Sequence, residues 1–114
     1  MEECIFCRIA EGDMESDIVY EDEEVVAFRD INPQAPVHVL VVPRRHIPSA
    51  AELTPEDAPL LSRIFQVINK VAEKEGIAGK GVRILTNVGT EAGQSVFHLH
   101  FHVLGGRRML WPPG

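Results

Sequence analysis

Positive charge is in short supply: 11 lysines and arginines stand against 17 acids, for a formal net charge of -6 over 114 residues. A general nucleic-acid binder needs a basic footprint over many phosphates, so that class of partner is excluded and only a local patch for a single phosphate stays open. No apolar run reaches the roughly 18 residues of a membrane span, which argues against a membrane partner. The opening MEECIFCRIAEGD has no basic stretch followed by a long apolar one, so no secretory leader is expected and the cytoplasm is the expected compartment. Cysteine is scarce as well. The two present are spaced C-x-x-C, which in a reducing compartment suggests metal or redox chemistry before a structural disulfide.

What is there suffices for a packed core. The chain is 45% hydrophobic, and no repeat or linker divides it, so residues 1–114 are expected to form one domain. Residues 4–10 (CIFCRIA) suggest a short helical turn. Residues 18–20, 25–28, 37–43, 82–87 and 97–104 read as strands, the third of them central because it is rich in β-branched residues and stops at a proline. Residues 31–36 (INPQAP) and 89–93 (GTEAG) read as loops. The strongest local signal is a helix over 54–75. Thr54 is a natural N-cap, Pro55 suits the first helical position, Asp57 completes a variant capping box, and Leu60, Leu61, Ile64, Phe65, Val67, Ile68, Val71 and Ala72 mark one apolar face. The pattern predicts an α+β fold: a mostly antiparallel five-stranded sheet with one long helix on a face and a short N-terminal helix.

The segment 98–102 reads HLHFH. In a strand, positions i, i+2 and i+4 share a face, so His98, His100 and His102 line up while Leu99, Phe101 and Val103 face the opposite layer. Such a row fits two kinds of chemistry. It can ligate a metal, or one imidazole can act as nucleophile while its neighbours hold phosphate oxygens and move protons. A bland alternative is three imidazoles on an exposed sheet face, but strict alternation on an otherwise apolar strand argues against it. Directly upstream, Gly89, Gly93, Gln94 and Ser95 supply loop amides and a hydroxyl suited to an anion, without the Lys-Ser/Thr ending of a P-loop.

The stretch GQSVFHLHFHVLGG matches the alternating His-apolar-His-apolar-His signature and resembles the histidine triad (HIT) superfamily. The closing Trp111-Pro112-Pro113-Gly114 and the segment 27–47 (AFRDINPQAPVHVLVVPRRHI) are similar to its Hint branch, whose members are small homodimeric nucleotide-binding hydrolases. The resemblance implies cleavage of the P–N bond of nucleoside 5'-phosphoramidates, often purine ones, through a covalent nucleotidyl-histidine and with no catalytic metal. It implies His100 as the nucleophile, His102 as the phosphate-contacting third histidine and His38 as the upstream histidine that completes the site. Asn87, Gln94 and Ser95 match polar positions around the phosphate and leaving group. Asp30 matches the acid that takes the ribose hydroxyls, Ile31 flanks the base, and Trp111 belongs to a tail that shapes the leaving-group pocket beside the partner subunit. Either His102 or Ser95 could protonate the departing amine.

By spacing alone, Cys4 and Cys7 are a metal knuckle, a redox pair or two small apolar residues under a helix. The N-terminal position argues against the redox motif, which needs a strand before it. Many zinc-containing bacterial and archaeal relatives in the Hint branch add two histidines to this pair, and the resemblance implies a structural zinc on Cys4, Cys7, His46 and His98 with no open position. It also implies a two-fold dimer using the long helix and a strand edge. Two alternatives accompany the phosphoramidase reading. One is a hydrolase of dinucleoside polyphosphates, as in the Fhit branch, and the other is a nucleotide-binding or scaffold module with incidental hydrolysis. A uridylyltransferase of the related type is disfavoured by His102 and by the chain's length.

Overall fold

The computed structural model describes residues 4–114, so the first three residues of the expected domain lie outside it. Cys4 is the N-cap of helix α1 (Ile5–Ala10), its backbone extended and its Sγ accepting the Cys7 N–H at 3.3 Å. Strands β1 (Ile18–Glu21), β2 (Val25–Arg29) and β3 (Val37–Pro43) follow as a meander. The acidic turn between β1 and β2 is organised by Asp22, whose Oδ1 accepts the N–H groups of Glu24 and Val25. The long helix α2 spans Ala58–Lys74. It begins later than the capping pattern predicts because Pro55–Asp57 forms a tighter 3-10 turn, in which Asp57 Oδ2 accepts the Thr54 N–H at 2.9 Å. Strands β4 (Arg83–Leu85) and β5 (Phe101–Gly105) close the sheet.

The strand order is β1-β2-β3-β5-β4 with every pair antiparallel, so β3 is the central strand. Alternation sorts the side chains into two layers. Val25, Ala27, Val39, Val41, Phe101 and Val103 join Ile64, Val67, Ile68 and Val71 of α2 in the larger core. Each of those four helix residues is at most 1% exposed, which at about 1.5–3 kcal/mol per buried aliphatic side chain explains why the helix lies where it does. On the other face Val26, Phe28, Leu40 and Val42 pack against Phe6, Ile9 and Ala10 of α1.

Two expected strands are shorter than the sequence pattern suggests. The β3–β5 ladder ends at the Val41–Phe101 pair, so His98 and His100 lie outside it rather than in a strand over 97–104. Pro43 has no N–H to offer a longer ladder. Beyond that point the Leu99 N–H turns to the Ile47 carbonyl at 2.6 Å, and the His100 carbonyl accepts from the Thr86 hydroxyl at 2.7 Å. The same hydroxyl marks where the chain leaves β4, which ends at Leu85 instead of Asn87. Leu99 still packs with Phe101 and Val103, as the alternation requires.

Candidate active site and metal centre

All five histidines gather on the α1 side of the sheet, and main-chain groups fix the proton on three of them. His100 donates its Nδ1–H to the His98 carbonyl at 2.7 Å, which leaves a lone pair on Nε2. His98 donates its Nε2–H to the Pro43 carbonyl at 2.8 Å, which leaves a lone pair on Nδ1. His38 is set the other way: its Nδ1 accepts the Gln34 N–H at 3.0 Å, so its proton sits on Nε2. That Nε2 lies 2.9 Å from His102 Nδ1 and 3.4 Å from Asp30 Oδ2. His102 therefore accepts at Nδ1 and carries its own proton on Nε2.

Burial reinforces the neutral forms. It pushes His38, His98 and His100 below the ordinary imidazole value. His102 falls to about 4, first through burial and then through repulsion by His100 and His38. His98 and His100 are 0% and 6% exposed, because Phe6 of α1 meets both rings edge-on at centroid distances of 6.0 and 5.0 Å. At neutral pH the site thus holds an unprotonated nitrogen on His100 beside an N–H donor on His102.

These groups end a cleft of about 400 Å³ between α1 and the sheet. Ile5, Phe6, Ile9, Phe28 and Leu40 make an apolar wall, while Asp30, Ser95, His100 and His102 bring polar groups to it. Ile31, 98% exposed, stands at the rim. A flat apolar ring with a hydroxylated and anionic tail fits such a division. The apolar residues of α1 escape a reading by motif, although the spacing of Ile5, Phe6 and Ile9 marks one helical face.

Three other candidate residues do not line this cleft. Gln94 is buried between its own loop and the segment after β3, its Oε1 accepting the Gly89 N–H and its Nε2 donating to the carbonyls of Pro48 and Val96. Asn87 lies beside Gly93 and is not part of the cleft wall. Trp111, expected beside the partner subunit's pocket, is 82% exposed and lies outside this chain's own cleft wall.

Among the described residues two clusters have metal-ligand character, and their hydrogen bonds separate them. In the first, the donor atoms of Cys4, Cys7, His46 and His98 lie within 4.8 Å of one another. His98 Nδ1 is 3.3 Å from Cys4 Sγ and 3.5 Å from Cys7 Sγ, and His46 Nδ1 is 3.3 Å from Cys7 Sγ. A tetrahedral zinc with bonds of about 2.3 Å to sulfur and about 2.0 Å to nitrogen separates S and N by roughly 3.5 Å, so the set fits. Without a cation, burial and then the Cys4 thiol push the Cys7 thiol up to about 11, a bias that a bound cation reverses. In the second, Asp30, His38 and His102 are equally close, but the Gln34 N–H keeps a proton on His38 Nε2. That cluster is a hydrogen-bonded chain and not a ligand set.

Known proteins resemble the whole chain. The family described as "Scavenger mRNA decapping enzyme C-term binding" matches residues 3–110. The purine nucleoside phosphoramidase of Escherichia coli K12 is 47% identical over 106 residues, covering 93% of this chain and 89% of the relative. An uncharacterized HIT-like protein of Synechocystis is 48% identical over 113 residues, covering 99% of this chain and 98% of the relative. Among solved structures, the HIT family hydrolase of Legionella pneumophila superposes with a TM-score of 0.96 at 45% identity, covering 98% of this chain and 100% of that one. The HIT family hydrolase of Clostridium thermocellum gives 0.94 at 52% identity, covering 96% of each chain.

Proposed function

Because the chain belongs to the histidine triad (HIT) superfamily of hydrolases, we propose that it is a cytoplasmic, single-domain nucleoside phosphoramidase that cleaves the P–N bond of purine nucleoside 5'-phosphoramidates, with His100 as nucleophile. The observation that carries this reading is the His100–His98 hydrogen bond, which aims an unprotonated Nε2 away from the main chain at the end of a nucleoside-sized cleft. His100 Nε2 attacks the α-phosphorus, the P–N bond breaks, and a nucleotidyl-histidine forms. His102 Nε2–H donates to the phosphoryl oxygens, where charge collects. Because His38 donates into its Nδ1, His102 serves as a neutral donor, and the Ser95 hydroxyl is left to pass a solvent proton to the departing amine. Water then attacks phosphorus and releases the nucleoside monophosphate and free His100. Asp30 takes the ribose hydroxyls, and the wall of Phe6, Ile9, Phe28 and Leu40 takes the base, with Ile31 flanking it. Gln94 serves through the shape of the loop, while Asn87 and Trp111 belong to the leaving-group side.

The donor set of Cys4, Cys7, His46 and His98 would hold zinc, with four protein ligands and no open position. The chemistry it would supply is structural: held by Cys4 and Cys7 at the start of α1 and by His46 and His98, it would tie the helix to the sheet. A homodimer is supported by apolar surface left exposed beside the larger core. Helix α2 packs chiefly over β1, β2 and β3, which leaves Ile84 on the edge strand 39% exposed and Phe65 41% exposed on the side that a second copy would cover.

The test is AMP release from adenosine 5'-phosphoramidate, with His100→Ala alongside. The expected result is turnover in the wild type and a loss of at least about 10³-fold in the variant. Release that survives in His100→Ala removes His100 as nucleophile. Tight AMP binding without release moves the chain to dinucleoside polyphosphate hydrolysis or to a binding role.

A further inference from the structure

The loop of residues 30–36, between β2 and β3, uses Gln34 in an unusual way. Its N–H donates to His38 Nδ1 at 3.0 Å, its side-chain amide donates to the Asn32 carbonyl at 3.0 Å, and its carbonyl accepts from Arg107 Nε at 3.1 Å. Arg107 follows β5, the strand that carries His102. The residue before it, Gly106, has φ +91° and lies so close to the loop that a Cβ there would sit 2.9 Å from Pro36 Cβ. The end of β5 therefore grips the loop in two places. A closed circuit results: Arg107 holds Gln34, Gln34 sets His38, His38 sets His102, and β5 joins His102 back to Arg107.

We propose that Gln34 is a positioning residue whose main-chain N–H selects the tautomer of His38 and, through it, that of His102, and that Arg107 with Gly106 holds the loop in register for this task. The inference rests on the phosphoramidase reading for its consequence, though not for its geometry. With the Gln34 N–H in place, His38 can offer only Nε2–H to His102, and His102 presents Nε2–H to the substrate. Without it, His38 is free to carry its proton on Nδ1. His102 then donates from Nδ1 to His38, and its Nε2 meets the phosphoryl oxygens with a lone pair. The chemistry loses a donor where negative charge gathers, while the nucleoside pocket is untouched.

The experiment follows the ring-nitrogen NMR shifts of His38 and His102 in the ¹⁵N-labelled, zinc-loaded full chain, together with kcat and KM. Gln34→Pro deletes the N–H. It is expected to shift His38 to the Nδ1–H form and to lower kcat about 10²-fold with KM changed little. Gln34→Ala keeps the N–H and is expected to keep the tautomer. Should Gln34→Pro fail to fold, Arg107→Ala is expected to give a mixture of His38 tautomers and a several-fold loss of kcat, both recovered in Arg107→Lys. A wild-type His38 protonated on Nδ1, or a His38 tautomer unmoved in both Gln34→Pro and Arg107→Ala, overturns the proposal. The NMR readout needs no turnover. A wild type that shows the Nε2–H tautomer but releases no AMP therefore counts against the phosphoramidase reading and leaves the positioning role standing.

Discussion

The carbonyl of His98 accepts the Nδ1–H of His100 at 2.7 Å, so the residue whose side chain faces Cys4 and Cys7 also aims its neighbour's free nitrogen. The cluster and the cleft meet in a three-residue segment. They meet again in α1, where Ile5 and Phe6 lie between the two cysteines and line the cleft.

Removing the metal is therefore expected to reach the nucleotide. Chelated wild type and Cys7→Ser should bind AMP about tenfold more weakly than the zinc-loaded chain, about 1.4 kcal/mol, and should melt several degrees lower. Calorimetric titration of AMP into loaded and stripped protein checks this. Equal affinities in the two states would separate the two sites.

Acid should destabilise the fold in a defined window. His38, His98, His100 and His102 are all held below the ordinary 6.5, His102 down to about 4. Over that range the unfolded chain binds more protons than the folded one, so stability is complete above pH 6.5 and is lost as the pH falls toward 4. Melting temperature recorded in steps from pH 8 to 4.5 is expected to be flat and then to fall, less steeply in His102→Asn. A flat profile throughout contradicts the neutral-imidazole reading.

Asp30 pairs its Oδ1 with the Asn32 N–H and faces the cleft, which leaves carboxylate capacity for ribose. Deleting a ribose hydroxyl from the substrate should raise KM about tenfold, within the usual range for a hydrogen bond to a charged group. In Asp30→Ala that penalty should vanish, because the partner is gone. An undiminished penalty in the variant would assign the hydroxyls to another group.

Ile84 shares a face with Val103, its ladder partner, yet it stays 39% exposed at the sheet's edge. Ile84→Lys is expected to shift the chain from a dimeric to a monomeric mass by light scattering at micromolar concentration. A wild-type monomer, or a variant that remains a dimer, removes this edge from the interface.

Much of this was legible in the residues. The HLHFH alternation correctly divided Leu99, Phe101 and Val103 from the histidines, and Thr54 with Asp57 marked the start of the helical segment. The ladder's end was hidden, because the missing N–H of Pro43 acts on a segment more than fifty residues downstream. The apolar wall was hidden for a related reason: Phe6 becomes a cleft residue only when α1 folds over the sheet. The grouping of Cys4, Cys7, His46 and His98 needed a family likeness, since spacing in sequence could pair the cysteines but could not choose among five histidines. Gln34 gave no signal at all, because its side chain is not what touches His38.

That last point bears on how such a site would be mapped by mutation. The groups that orient His38, His98 and His100 are a peptide N–H and two peptide carbonyls, contributed by Gln34, Pro43 and His98. Replacing a non-proline side chain leaves its peptide unit in place, so an alanine scan would find the imidazoles and pass over Gln34, whose N–H aims His38. Gln34 can vary among residues that keep a peptide N–H, whereas Pro43 both lends its carbonyl to His98 and, lacking an N–H, ends the ladder. The constraint on the site is written partly in backbone geometry, where a catalogue of important residues does not record it.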